Sequence, residues 1–302
     1  QCHPNPAVNM RSLTQQRAKD FSNRRIAPDP EQLLRLIGMR DDTPTPFVES
    51  GASSRTWFHD WTESRIKTDP GIVVPLTQVS LAEDVPLLWH FNPDGRSKLM
   101  ERGGMLMDAI GHLDRTGRKA SLLAADLRGW GETTPAFAPF ENVSWGGSDR
   151  FAAYVSASLG DAVEAGRIRD AWHLYHALPP HNRTVLHAVG AAGPVALHLA
   201  ALTRSFNAVI LYDAPGSYED MLSTEDFNWP HDIVLPGVLQ YYDLPLLAAA
   251  AGCPVHWLNP LDGAGQPLSA EECGRRSHDN LHWHDNVKPA DHLAMLREML
   301  YA

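Results

Sequence analysis

The chain has 302 residues, of which 43% are hydrophobic and 21% charged, the mixture of a globular protein with a sizeable core. Its net charge of −10 argues against phosphate backbones and anionic membrane surfaces, so no nucleic-acid partner is expected. No apolar run reaches the roughly 18 residues that a membrane span requires, so no span is expected.

The chain opens at Gln1 rather than Met and shows no signal peptide, so a processed start or a piece of a longer protein is expected. Three cysteines, Cys2, Cys253 and Cys273, do not make a disulfide framework; they leave one bridge or free buried thiols. Residues 1–60 are polar, proline-rich and poorly periodic, and are expected to form an N-terminal extension. Within it, Pro28-Asp29-Pro30 leads into one short amphipathic helix, EQLLRLIGM, which Gly38 ends. Residues 61–302 are expected to form the main domain. Arg65–Thr68 and Ile72–Val74 read as strands around an Asp69-Pro70-Gly71 turn.

From Val85 the pattern changes. VPLLWHF is a compact apolar strand, residues 103–116 read as a helix, and ASLLAAD (120–126) is a second buried strand before the polar loop Leu127–Glu132. Residues 149–166 and 168–178 read as two helices. Two further strands, 206–212 and 253–258, precede a closing helix over 290–301. Apolar strands alternating with helices predict an α/β fold, with a mostly parallel central sheet covered by helices on both faces. Ligands of such sheets sit beyond the carboxyl ends of the strands.

The stretch that organises the rest is Thr184–Leu202, TVLHAVGAAGPVALHLAAL. It reads as a strand, a tight turn of small residues, and a buried helix opened by Pro194. A strand, sharp turn and helix of this kind is a nucleophile elbow, whose motif is Gly-x-Ser-x-Gly. Aligning the turn on Gly193 and the helix puts Gly190 at the serine position.

Other segments agree. ADLRGWGET resembles the Asp-x-Arg-Gly-x-Gly loop after the fourth strand of α/β hydrolases, HFNPDG their oxyanion-loop region, and LNPLDGAGQPL the loop that supplies the acid of the triad. With SYEDM and LPGVLQYYDLPLLAAAAGCPV, the chain resembles the acetylxylan-esterase-like branch of the α/β-hydrolase superfamily, from about Arg65 to the C-terminus. It is most similar to the serine-less second hydrolase domain of some large tandem bacterial members. The resemblance implies an α/β-hydrolase fold, a carbohydrate ester as substrate class, no cofactor, and an N-terminal hydrolase domain or another chain as partner. It places Asp262 at the acid position. It looks for the histidine late in the chain, among His278, His282, His284 and His292. Oxyanion donors would come from near Phe91 and Ala191, with His90 lining the pocket.

Each feature also has a plainer reading. Gly190 is a preserved turn without chemistry, or else a nucleophile comes from elsewhere, with Ser217, Ser144 and Ser148 as candidates. Asp262 is the acid of a triad, or a loop-capping aspartate in an Asp-Gly turn. The run His278–Asp285 invites a metal reading through His282-x-His284, but no second motif with ligand spacing accompanies it, so a surface loop, or one triad histidine with bystanders, is expected instead of a metal site. His187 and His198 read as hydrogen-bonded core residues, and Arg128 as a structural ion-pair partner beside Asp126. Trp229, Tyr241, Tyr242, Trp257 and Trp283 stack on a sugar or belong to the core. Two function classes follow: a non-catalytic or partner-dependent domain, and an active carbohydrate ester hydrolase using a displaced nucleophile or a water activated by a histidine–Asp262 pair. A lyase using the oxyanion pocket is a third.

Overall fold

The computed structural model describes residues 9–39, 47–56, 59–80, 85–100, 105–135 and 148–302. Two helices lead in. Helix α1 (Met10–Ser22) starts at a capping box, in which Asn9 Oδ1 accepts from the Ser12 amide and Ser12 Oγ accepts from the Asn9 amide. Helix α2 (Pro30–Leu36) is capped by Asp29. Gly38 follows it at φ +66°, a left-handed geometry that suits glycine after a helix end.

Nine strands among the described residues form one sheet. They are β1 (Phe47–Thr56), β2 (His59–Lys67), β3 (Val73–Ser80), β4 (Leu87–Phe91), β5 (Ser121–Ala125), β6 (Thr184–Val189), β7 (Ala208–Tyr212), β8 (Val255–Leu258) and β9 (Leu281–His284). Their order is β1-β2-β3-β5-β4-β6-β7-β8-β9. The first three pairings are antiparallel, and from β5 to β9 all pairings are parallel. The crossovers carry α3 (Met105–Arg115), α4 (Ser148–Ser158), α5 (Val163–Ala177), α6 (Gly193–Thr203), α7 (Tyr218–Ser223), α8 (Leu244–Ala249) and α9 (Ala270–Arg275); α10 (Pro289–Tyr301) closes the chain.

Strand alternation divides the core in two. Trp89, Phe91, Leu186, Leu211, Val255 and Trp257 point to the face covered by α2, α5, α6 and α8. Leu88, Leu122, Val185, Ile210 and Leu258 point to the face where α3 packs beside α10 through Leu113, Leu296 and Leu300. Strands buried on both faces have no solvent side, which is why β4 to β8 read as mostly apolar runs, broken by His90, His187 and His256.

Three elements depart from expectation. The sheet begins at Phe47, inside the stretch read as an extension, and β2 and β3 are longer than the short strands expected there. Helix α1 was not anticipated, because Ala18 is its buried residue and no apolar stripe marks it. The two helices expected to divide near Arg167 divide instead at Gly160, φ +76°, and α5 runs unbroken through Gly166. Gly166 marks a close approach rather than a stop: a Cβ there would lie 2.5 Å from Arg128 Nη1. Cys253 and Cys273 are buried free thiols, and Cys2 lies outside the described residues.

Candidate active site

The carboxyl ends of β4, β6, β7, β8 and β9 form one edge, and the elbow lies at its centre. Gly190 follows β6 at φ +55°, the positive value that a turn between a parallel strand and its helix imposes. A Cβ added at Gly190 meets nothing within 4 Å, so its outer side is open. Three residues on, the fit is tight: a Cβ on Gly193 would lie 2.7 Å from Ala214 Cβ, and this close approach seats α6 against the end of β7. The two glycines therefore respond differently to substitution. We expect Gly190→Ser to fold at a cost of about 1–2 kcal/mol, the left-handed penalty of an L-residue. Gly193→Val should cost at least as much through overpacking, typically about 1–3 kcal/mol or more. Urea unfolding of both variants checks this, and a Gly190→Ser loss well above that of Gly193→Val would contradict it.

The neighbouring strand ends are held by their own bonds. One residue beyond the last registered pair, Val189 and Tyr212, come Gly190 and Asp213. Asp213 has φ +50°, and burial raises its pKa against a lowering hydrogen bond from Asn259. Asn259 also ties the β9–α10 loop to the end of β8, donating Nδ2 to the Val287 carbonyl (3.1 Å) and accepting from the Val287 amide (2.8 Å). Asp213 is a carboxylate beside the elbow that the sequence places at a strand end but that was not among the candidate site residues; its position directly after an apolar strand was the available signal.

Asp262 lies in the loop after β8, where the acid was expected. Its Oδ1 accepts from the amides of Ala264 and Gln266, both at 2.8 Å, while its carbonyl accepts from Trp229 Nε1. These bonds close the Asp-Gly turn, and no histidine is among the partners found for its carboxylate. The late histidines are engaged elsewhere. His284 Nε2 is 3.2 Å from His256 Nδ1, and His282 stacks on His256 with ring centroids 5.0 Å apart. His292, in the first turn of α10, is fully buried, with Nε2 3.0 Å from His187 Nε2. His278 turns the chain before β9, its carbonyl accepting from Leu281. The loop between β9 and α10, Asp285-Asn286-Val287-Lys288, contains no histidine.

The expected oxyanion region also differs. His90 was expected to line a pocket, but it is 4% exposed, with Nδ1 2.8 Å from His187 Nδ1. Alternation in β4 turns it onto the α10 face, opposite to Phe91, which lies in the other core half. Ala191 is buried at the first turn after Gly190. The loop after β4 is instead joined to the one after β5: Asp126 accepts from the Arg96 and Glu132 amides, and Gly95 and Gly131 pack backbone to backbone.

The register shows a pattern that the one-dimensional sequence conceals. His90, His187, Ile210, His256 and His282 occupy one row across β4, β6, β7, β8 and β9. His90, His187 and His292 form a hydrogen-bonded file, and Tyr212 stacks on His292 at 4.3 Å. His292 Nδ1 has no partner. An orphan N–H costs more than an orphan lone pair, so His292 carries its proton on Nε2 and donates to His187, which donates onward from Nδ1 to His90. Burial lowers the pKa of His90 to about 3 and of His292 to about 4, and that of His187 well below the ordinary value. His198 is likewise neutral, bonded to the Pro194 carbonyl and to Tyr242 Oη. Among the described residues, no group of three or more His, Cys, Asp or Glu side chains is arranged to hold a metal ion.

Several of the remaining candidates have structural partners. Ser217 caps α7 and donates to Asp243 at 2.6 Å. Ser148 begins α4, and Ser144 lies outside the described residues. Arg128 pairs not with Asp126 but with Asp170 and Asp69. Trp257 and Trp283 stack at 4.9 Å and Tyr242 is fully buried, while Tyr241 is 42% exposed.

No family model matches the chain, and no curated protein matches it in sequence. Its backbone does have solved likenesses. A Bacteroides fragilis protein assigned as an acetyl xylan esterase superposes with a TM-score of 0.68 at 11% identity, covering 92% of this chain and 82% of that one. Acetyl xylan esterase 1 from Thermoanaerobacterium gives 0.62 at 13% identity, covering 95% and 98%. A glucuronoyl esterase from Solibacter usitatus gives 0.57 at 10% identity, covering 91% and 95%. Esterases of these kinds belong to the α/β-hydrolase superfamily, and at such identities the likeness is one of fold alone. The mostly parallel, helix-flanked sheet of this chain is consistent with the fold of those esterases.

Proposed function

We propose that this chain is a carbohydrate-esterase-like hydrolase domain without a nucleophile of its own, serving an active domain or partner chain. Gly190 carries this reading: the apex of the elbow has no side chain to acylate. Asp262 and the late histidines add support, because their bonds run to turn amides and to other histidines rather than to one another. Solved likenesses named as acetyl xylan and glucuronoyl esterases support a carbohydrate ester as the relevant ligand class. Loss of the serine from a catalytic triad lowers turnover by about a million-fold.

The test is hydrolysis of p-nitrophenyl acetate and of acetylated xylan by the folded chain, beside Asp262→Ala, His282→Ala, His284→Ala and His292→Ala. We expect release no faster than with heat-denatured protein, and no change across the variants. Turnover abolished by Asp262→Ala and by one histidine variant would overturn the proposal. It would establish the other reading, an ester hydrolase with a displaced nucleophile or a histidine–Asp262 activated water.

A further inference from the structure

A cavity of about 300 Å³ lies between α1 and the segment that follows β7. It is separate from the elbow. Its wall is apolar and partly aromatic: Phe21 from α1 faces Met221, Phe227, Leu235 and Val238. Leu235 and Val238 are each 2% exposed, so the floor belongs to the packed core, while Thr14, Arg17, Val234 and Gly237 form an exposed rim and leave the cavity open to solvent. An apolar cavity of about 150 Å³ already admits benzene. This one has room for an aromatic ring and a short side chain.

Two polar features qualify the apolar wall. Arg17, on α1, borders the cavity and has no hydrogen bond or ion pair among the described residues. Tyr218, also on the wall, is 2% exposed, and its hydroxyl has no hydrogen-bond partner. An unpaired guanidinium beside an apolar, aromatic-lined cavity is complementary to a ligand with an aromatic body and one carboxylate.

We propose that this cavity is a binding site for a small aryl carboxylate of phenylpropanoid size, with the ring among Phe21, Met221 and Phe227 and the carboxylate at Arg17. The site does not depend on the elbow or on the function assigned to it.

Isothermal titration of the whole chain with trans-cinnamate, cinnamamide and octanoate tests the proposal. Cinnamate should bind at one site, more tightly than both the neutral amide and the aliphatic acid. Arg17→Gln should weaken cinnamate about three- to tenfold and leave cinnamamide unchanged, as expected for one exposed charge contact. Val238→Phe, which fills the cavity, should abolish binding of both aromatic probes while keeping the circular dichroism of the parent. If Val238→Phe fails to fold, Leu235→Met and Met221→Phe supply milder changes of the same wall. Absence of cinnamate binding, tighter binding of octanoate, or cinnamate binding indifferent to both Arg17→Gln and the wall variants would each overturn it.

Discussion

Stability should fall by about 3 kcal/mol between pH 7 and pH 5.5, and more steeply below, at about 4 kcal/mol per pH unit. The cause is the set of buried neutral imidazoles. His90, His187, His198 and His292 are each at most 4% exposed. Burial holds His90 at a pKa of about 3 and His198 and His292 at about 4, with His187 also strongly lowered. In the unfolded chain each returns to about 6.5. A depressed native pKa gives stability that is complete above the unfolded value and is lost as pH falls toward the folded one. Between pH 6.5 and 4, unfolding therefore takes up about four protons at these sites.

One group opposes them. Glu164 is fully buried, and burial raises its pKa to about 8, against the lowering effect of Arg167. Its native form holds a proton that the unfolded chain has released, so its contribution grows as pH falls from 8 toward 4.5. It offsets about one histidine, which leaves a net uptake near three protons. A domain at the low end of the usual range, about 5 kcal/mol, would unfold near pH 5 on that slope. Urea titrations at pH 7.0, 6.2 and 5.5, followed by circular dichroism, measure it directly. His198→Gln should reduce the slope by about 1 kcal/mol per pH unit over this range. A flat profile over this range would show that the histidine file is charged or wet.

Asp170→Ala should cost about 3 kcal/mol, because it takes the bidentate partner from a largely buried cation, Arg128, and leaves it Asp69 alone. Asp170 is fully buried on α5. Its carboxylate accepts from Arg128 Nε (2.8 Å) and Nη2 (2.6 Å), from Thr68 Oγ1 (2.5 Å) and from the Arg128 amide (3.2 Å). Arg128 also reaches Asp69 at 2.7 Å, and Arg169 joins Asp69 to Asp161. The network binds the β2–β3 turn, the loop after β5 and α5 together. Burial acts to raise the Asp69 pKa, but Arg128 and Arg169 outweigh it and lower it. Without Asp170, Arg128 keeps one carboxylate and loses its bidentate partner in a place water reaches poorly. Thermal unfolding should shift down by about 10 °C for a chain of this size. Asp170→Asn, which keeps the shape and part of the hydrogen bonding, should lose less than the alanine variant. Equal losses would mean that the charge contributes little.

Strands β4 to β8 of the parallel half were legible because they are buried on both faces, which is written as a mostly apolar run; β9, LHWH with partly exposed residues, was not read as a strand. The β6–α6 unit was legible as a turn of small residues before a helix-opening proline, and its apex fell on Gly190, where the backbone does turn positive. The antiparallel half was less so. Strands β1 to β3 mix polar and apolar residues, and their pairing depends on partners distant in sequence. Helix α1 is held by its cap and by contacts with α7 rather than by an apolar stripe. The histidines show the limit most clearly. Each was visible singly, but their row across the sheet is a matter of register, which one strand alone does not carry. Asp262 illustrates a second limit, since an acid awaiting a histidine and an acid closing a turn share the same Asp-Gly letters.

The central claim, that the elbow frame holds no activated nucleophile, is tested most directly by intact mass spectrometry after incubation with a fluorophosphonate. The account predicts that the chain keeps its unmodified mass at times when a serine esterase of the same fold is fully labelled. A stoichiometric single adduct, mapped by peptide analysis to one serine and prevented by Asp262→Ala, would contradict it and identify the nucleophile.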